Sequence, residues 1–135
     1  ETLYFRFMMP VRELPQAMIE RFTQIDYGRE LALVGIVGQA GDDKIVGVAR
    51  ITPTTIPERC EFAIVVEEVM QGTGLARALM QRILDAAVAR GYREIEGAVL
   101  RENPRMLKFC EAMGFTILPN PDDPGERIAR RDLVH

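Results

Sequence analysis

Gln71-Gly72-Thr73-Gly74-Leu75-Ala76 stands between an apolar run and a strongly periodic one, and its residue types suit the binding of an anion. A glycine-rich turn that opens a helix leaves several backbone N–H groups without intrahelical partners, near the positive end of the helix dipole. Gly72 and Gly74 carry no side chain, so a phosphate could approach the main chain closely. The same two glycines could instead serve a tight strand-to-helix turn through their backbone angles alone. No Gly-Lys-Ser/Thr follows, and the spacing is not G-x-G-x-x-G, so neither usual nucleotide loop fits. Other reactive side chains are few. Cys60 and Cys110 lie far apart, forming neither a disulfide framework nor a metal cluster, and no His neighbours either one to activate a thiolate. The single His is the last residue, so no metal is expected.

The elements that must position the turn can be read from periodicity. Cys60-Glu61-Phe62-Ala63-Ile64-Val65-Val66 is rich in β-branched and aromatic residues and reads as a strand. Leu75, Leu79, Ile83 and Ala87 recur every four residues, with Ala76, Met80, Leu84 and Val88 one step over. That double row predicts an amphipathic helix over about 74–90, with Gly91 as its left-handed cap. Upstream, residues 3–8 read as a strand, and Leu14–Phe22 as a short helix with Leu14, Met18, Ile19 and Phe22 on one face. Asp26-Tyr27-Gly28 reads as a turn or one helical turn. Residues 31–37 and 45–51 read as strands joined by the hairpin signal Gly41-Asp42-Asp43. Downstream, Glu94–Leu100 reads as a strand. Asn103-Pro104 is an N-cap and first-position pair that should start a helix with Met106, Phe109, Cys110 and Met113 inward and Gly114 at its end. Phe115–Leu118 and Glu126–Val134 complete the strands, with Pro119–Gly125 as a loop. Hairpins first and β-α-β-α-β afterwards predict a mixed α/β (α+β) sheet of about seven strands with helices on both faces.

The 135 residues suit one domain, able to bury about two-thirds of its unfolded surface. Apolar residues make up 47% and charged residues 27%, with a net charge of −3 and no long basic run. Neither nucleic acid nor an anionic membrane is indicated as a partner. No apolar stretch approaches the ~20 residues of a bilayer span, and no signal-peptide pattern is present. A reducing cytoplasm fits best. The chain opens at Glu1, without Met, and enters a strand at once, so it is expected to be a domain cut from a longer protein.

The strand, Q-x-x-G-x-A turn and long helix resemble the acyl-CoA-binding core of the GNAT N-acetyltransferase superfamily. Asn103-Pro104-Arg105-Met106-Leu107-Lys108-Phe109-Cys110-Glu111-Ala112-Met113-Gly114-Phe115 resembles that family's second motif, N-x-x-(A/M)-x-x-(L/F)-(Y)-x-x-x-G-F, at the expected distance. More narrowly, Arg21–Leu33 is similar to the C-terminal domain of Pat-type protein lysine acetyltransferases, where a GNAT domain follows a large acyl-CoA-synthetase-like region.

The resemblance implies a mostly antiparallel sheet that splays, with acetyl-CoA lying in the split. It also implies an acyltransferase acting on lysine amines of a protein such as an acyl-CoA synthetase. Gln71, Gly72, Thr73, Gly74, Leu75, Ala76 and Arg77 would hold the pyrophosphate, although Arg77 could equally lie on the solvated face. Main-chain groups of Ile64, Val65 and Val66 would pair with the pantetheine arm as an added strand. Asn103 would cap its helix, touch the coenzyme, or both, and Phe109 would line the same site. Attack requires a neutral amine, and a lysine ammonium has a pKa of about 10.4, so a base must take the proton. Glu61 occupies the family's position for that base. Strand alternation would place it with Ala63 and Val65 among apolar neighbours that raise its pKa. Glu67 and Glu68 are alternatives that lie nearer the anionic pyrophosphate. Asp26-Tyr27 and the Pro119–Gly125 loop, with Asp122 and Asp123, would border the acceptor channel. Where many relatives carry a tyrosine that protonates the leaving thiolate, this chain has Cys110. A small-amine acceptor, or an acyl-CoA-binding domain without turnover, are the competing readings.

Overall fold

The computed structural model describes residues 2–10, 31–38, 44–67, 70 and 72–133. The expected helix over 14–22, the turns at 26–28 and 41–43, and Gln71, Asp26, Tyr27 and Glu68 lie outside the described residues. Seven strands and two helices are described: β1 (Thr2–Pro10), β2 (Leu31–Gly38), β3 (Lys44–Pro53), β4 (Arg59–Val66), α1 (Leu75–Ala89), β5 (Glu94–Leu100), α2 (Pro104–Ala112), β6 (Thr116–Pro119) and β7 (Glu126–Asp132). Each falls where periodicity placed it, with small shifts at the ends. Pro53 and Pro119 terminate strands from inside rather than opening the loops that follow.

The chain forms two compact units, Glu1–Ile51 with Ala63–Ile83, and Thr52–Phe62 with Leu84–His135. The first unit carries the order β1-β2-β3 followed by the C-terminal half of β4. β1 and β2 are antiparallel from Thr2↔Gly38 to Pro10↔Leu31, and β2 and β3 are antiparallel through Val34↔Val48 and Gly35↔Gly47. The first half of α1 packs on β3 in this unit. A Cβ on Gly47 would stand 2.9 Å from side-chain atoms of both Leu75 and Leu79, so the helix comes as close as it does because that position has none.

The second unit carries the N-terminal half of β4, then β5, β7 and β6. β4 and β5 are parallel, whereas β5–β7 and β7–β6 are antiparallel. The core of this unit is built from alternate strand residues, Cys60, Phe62, Ile95, Val99 and Ala129, closed by Cys110, Met113 and Phe115.

In α1 the buried stripe is Leu75, Leu79, Met80, Ile83, Leu84 and Ala87. Burying each of the larger ones contributes about 1.5–3 kcal/mol. Val88, expected on that stripe, is 54% exposed, because it lies at the edge of the arc that the other residues fill. Both helices end alike. Tyr92 N donates to Ala87 O over Gly91 (φ +87°), and Phe115 N donates to Cys110 O over Gly114 (φ +89°). This paired pattern satisfies the last carbonyls of each helix.

Candidate active site

The glycine turn is built in the first unit from the end of β4. Glu67 N donates to Val46 O (2.9 Å), and Met70 N to Glu67 O (2.9 Å), which carries the chain from the sheet into the turn. Thr73 then staples it. Its N–H donates to Met70 O (3.2 Å), its hydroxyl bonds the same carbonyl, and its Oγ1 accepts from Leu75 N (3.4 Å). The last of these closes a Ser/Thr turn just ahead of the helix, whose N-cap position is Gly74. Gly72 (φ +80°) and Gly74 (φ +88°) take the left-handed conformation, and no atom lies within 4 Å of where their Cβ atoms would stand. The first i→i−4 bond of α1 runs from Ala78 N to Gly74 O (3.0 Å). The N–H groups of Ala76 and Arg77 therefore precede the helical ladder and lie at the positive end of its dipole.

No acidic residue occupies the first turn. Gly72, Thr73, Gly74 and Arg77 are exposed, and Leu75 is 1% exposed. The Leu75 side chain thus anchors the start of the helix in the core. Such a glycine-sided, amide-lined turn fits a diphosphate, and acetyl-CoA carries one.

On β4 the outcome for Glu61 differs from expectation. Glu61 is exposed, between buried Cys60 and Phe62. The buried positions on the strand are 60, 62 and then 65, so the alternation changes phase between Phe62 and Val65. Glu61 therefore does not share a buried face with Val65, and the apolar surroundings expected around it are absent. Ile64 and Val66 are half-buried and Val65 is buried. Parallel pairing with β5 covers Arg59↔Glu94, Cys60↔Ile95 and Glu61↔Glu96 and goes no further.

Register places Glu96 beside Glu61, and Glu96 is held from two sides. Its Oε1 accepts from Arg59 Nη1 (3.0 Å) and Arg130 Nη2 (3.1 Å), while Arg59 Nη2 meets Glu94 Oε1 (2.9 Å). This half-buried Arg-Glu-Arg ladder was not anticipated, because its members come from three strands distant in sequence.

In the second unit Asn103 Oδ1 accepts from Met106 N (3.2 Å), so the N-cap role is present. Phe109 is half-buried, as is Met106, while Cys110 and Met113 form the fully inward side of α2. Burial pushes the Cys110 thiol up to about 11. The Cys60 thiol also rises to about 11, through burial that outweighs its backbone hydrogen bond and Arg90. Both side chains are 0% exposed, so they pack as small apolar residues and neither is an activated nucleophile. In the loop after β6, Asp123 Oδ1 accepts from Gly125 N (2.8 Å) and Asn120 Oδ1 from Asp122 N (3.0 Å), so Asn120 and Asp123 shape turns. Among the described residues no group of three His, Cys, Asp or Glu is placed to hold a metal ion. No described helix is long and apolar enough to cross a membrane.

The sequence-predicted residues thus fall into two sets. The turn and Ile64–Val66 belong to the first unit; Glu61, Asn103 and Phe109 belong to the second. Missed by sequence reasoning were Phe62 and Gly97, which lie against each other in the second unit. An isolated glycine inside a strand pattern was the available signal.

Residues 4–115 match the model of the Acetyltransferase (GNAT) family. The chain is 31% identical over 132 residues to Acetyltransferase PA5475 of Pseudomonas aeruginosa, covering 98% of this chain and 71% of that protein. The fold is similar to the IAA acetyltransferase of Bacillus cereus (TM-score 0.77, 17% identity, 97% and 99% of the two chains). It is also similar to yncA of Salmonella typhimurium, solved with its cofactor acetyl-CoA (TM-score 0.73, 17% identity, 100% and 96%). The GNAT domain of S. lividans PAT is 25% identical with a TM-score of 0.67, over 88% of this chain and 69% of that one. With the family match spanning most of the sequence, and with an amide-lined glycine turn between β4 and α1, the chain belongs to the GNAT family of acetyl-CoA-dependent acetyltransferases.

Proposed function

We propose that this domain acetylates lysine ε-amines of a protein acceptor, with Glu61 as the general base. The observation that carries the narrower reading is the likeness to the GNAT domain of S. lividans PAT, which extends over 88% of this chain. It agrees with the resemblance of residues 21–33 to Pat-type acetyltransferases. An acceptor of the acyl-CoA-synthetase class, and a place beside a synthetase-like region in a longer cytoplasmic protein, belong to the same reading.

Bound acetyl-CoA would supply the activated acyl group as a thioester. The turn residues Gly72–Arg77 would hold its diphosphate through main-chain N–H groups, with the Arg77 side chain adding positive charge. Main-chain groups of Ile64–Val66 would orient the arm that leads to the thioester. Glu61 lies on the same strand, three residues before Ile64. Its carboxylate takes a proton from the lysine ammonium, directly or through one water, and leaves a neutral nitrogen to attack. Positioned proton transfer of this kind contributes about 10²–10⁴-fold. Cys110 is fully buried, so the proton for the departing thiolate comes from solvent.

Thiol release is measured with a synthetase-type acceptor protein and with free amines, comparing the parent with Glu61→Gln. The expected result is turnover on protein lysines, lowered by about 10²-fold or more in Glu61→Gln, with CoA affinity retained. Equal turnover in the variant removes Glu61 as base. Turnover on free amines alone replaces the acceptor with a small molecule. CoA binding without turnover on any acceptor makes the domain a sensor.

A further inference from the structure

Strand alternation in the second unit gives its sheet a buried and an outward face. Along β5, Ile95, Gly97 and Val99 are buried, whereas Glu94, Glu96, Ala98 and Leu100 point outward. Register continues the outward face across the neighbouring strands in rows. One row is charged: Glu61, Glu96 and Arg130. The next is apolar: Ala98, Ile128 and Leu118, with Leu100 beyond it on β5. Ala98 is exposed, Leu100 is 58% exposed, and Ile128 and Leu118 are half-buried. Five carboxylates stand on this face, at Glu61, Glu94, Glu96, Glu126 and Asp132. Only two guanidinium groups accompany them, at Arg59 and Arg130, and both bond Glu94 or Glu96.

We propose that the row Ala98–Ile128–Leu118, extended by Leu100, seats an apolar side chain of the acceptor two residues away from the lysine that Glu61 deprotonates. An extended segment points its residues i and i+2 to the same side, at the spacing that separates successive rows of a sheet. With the lysine over Glu61, the side chain two positions away falls on the apolar row. The immediate neighbours of the lysine face away from the sheet. Seating that side chain takes apolar surface of Ala98 and Leu100 out of water. The excess of carboxylates favours a cationic segment as the occupant. It disfavours a second copy of this chain, which would bring the same acidic face against itself. The acceptor is thereby narrowed to an extended lysine segment with a branched apolar residue at the second position on one side. This inference rests on the reading of Glu61 as base toward a protein lysine.

The test measures steady-state kinetics with acetyl-CoA on short lysine peptides that are otherwise serine. Leu is placed one or two residues from the lysine, on each side in turn. The parent should favour Leu at one of the second positions by about tenfold or more in kcat/KM, and Leu next to the lysine by less than about twofold. Leu100→Ser and Ile128→Thr should erase the preference, and the loss should appear in KM. Val88→Ser removes another exposed apolar side chain of the same unit, on α1, and should keep the preference in full. A parent indifferent to Leu at both second positions, or variants that retain the preference, overturns the seat and leaves the lysine reading standing. Sedimentation velocity is run on the same proteins; a parental dimer that Leu100→Ser dissociates makes the face a self-interface and also overturns the seat. No turnover on any peptide overturns it as well, since its occupant is an extended segment. Turnover on a protein acceptor in that case keeps the lysine reading, and its absence removes both.

Discussion

Asn103 is the residue at which capping and ligand contact can be separated. Its Oδ1 accepts from Met106 N, so Asn103→Ala should cost about 0.5–2 kcal/mol of stability, read from denaturant unfolding. If the side chain also touches the coenzyme, the CoA Kd rises as well; a cap alone leaves Kd unchanged. The two thiols make a prediction about alkaline pH. Each lies near 9.0 when unfolded and is raised by burial to about 11 when folded. Between those values the unfolded chain has released the thiol protons that the folded chain retains. The unfolded state binds fewer protons there, and stability falls as pH rises. Tm should therefore drop from pH 9 to 11, and the drop should shrink in Cys60→Ala and again in Cys110→Ala. Below pH 9 both states keep the proton and the effect vanishes. Iodoacetamide should label neither cysteine in the folded protein at neutral pH.

At the scale of elements, α1 connects core and site. Its N-terminus presents the amides of Ala76 and Arg77, and its stripe from Leu75 to Ala87 sets where those amides stand. Leu79 is 0% exposed and packs on β3 over Gly47. Leu79→Ala should cost about 2–5 kcal/mol and weaken CoA binding by letting the helix start move. Gly74→Ala tests the turn separately. With nothing within 4 Å of the added methyl, its cost arises from φ +88° alone and should be roughly 1–2 kcal/mol. Calorimetry should show a weakened CoA affinity in that variant, with the α1 core intact. The Arg59–Glu96–Arg130 ladder joins β4, β5 and β7. Its members are partly exposed, so each pair contributes only about 0–1 kcal/mol. Its effect is on the placement of the strand that carries Glu61.

For the whole molecule, β4 and α1 each have residues in both compact units. A ligand that binds only the folded state stabilises it by mass action. CoA at 100 times its Kd should therefore add about 2.7 kcal/mol, seen as a Tm rise of several degrees by calorimetry. Gly74→Ala should lose most of that rise at the same CoA concentration. Local pattern made much of this architecture readable in advance. The i, i+4 stripe of α1, the Asn103-Pro104 start of α2 and the β-branched strands each declare themselves within a dozen residues, because helix and strand periods are local properties of the chain. The turn was readable for the same reason, since glycines and a following helix are contiguous.

What needed the tertiary structure were relations between distant segments. Nothing near Glu61 in sequence announces that β4 changes phase after Phe62, and that change left the carboxylate exposed instead of buried. Nothing near Glu96 announces the two arginines that hold it, and Cys110 could be assigned to the core only once its burial was known. Register and burial are set by which strands become neighbours. That choice is made by the packing of the whole chain, which no window of sequence contains.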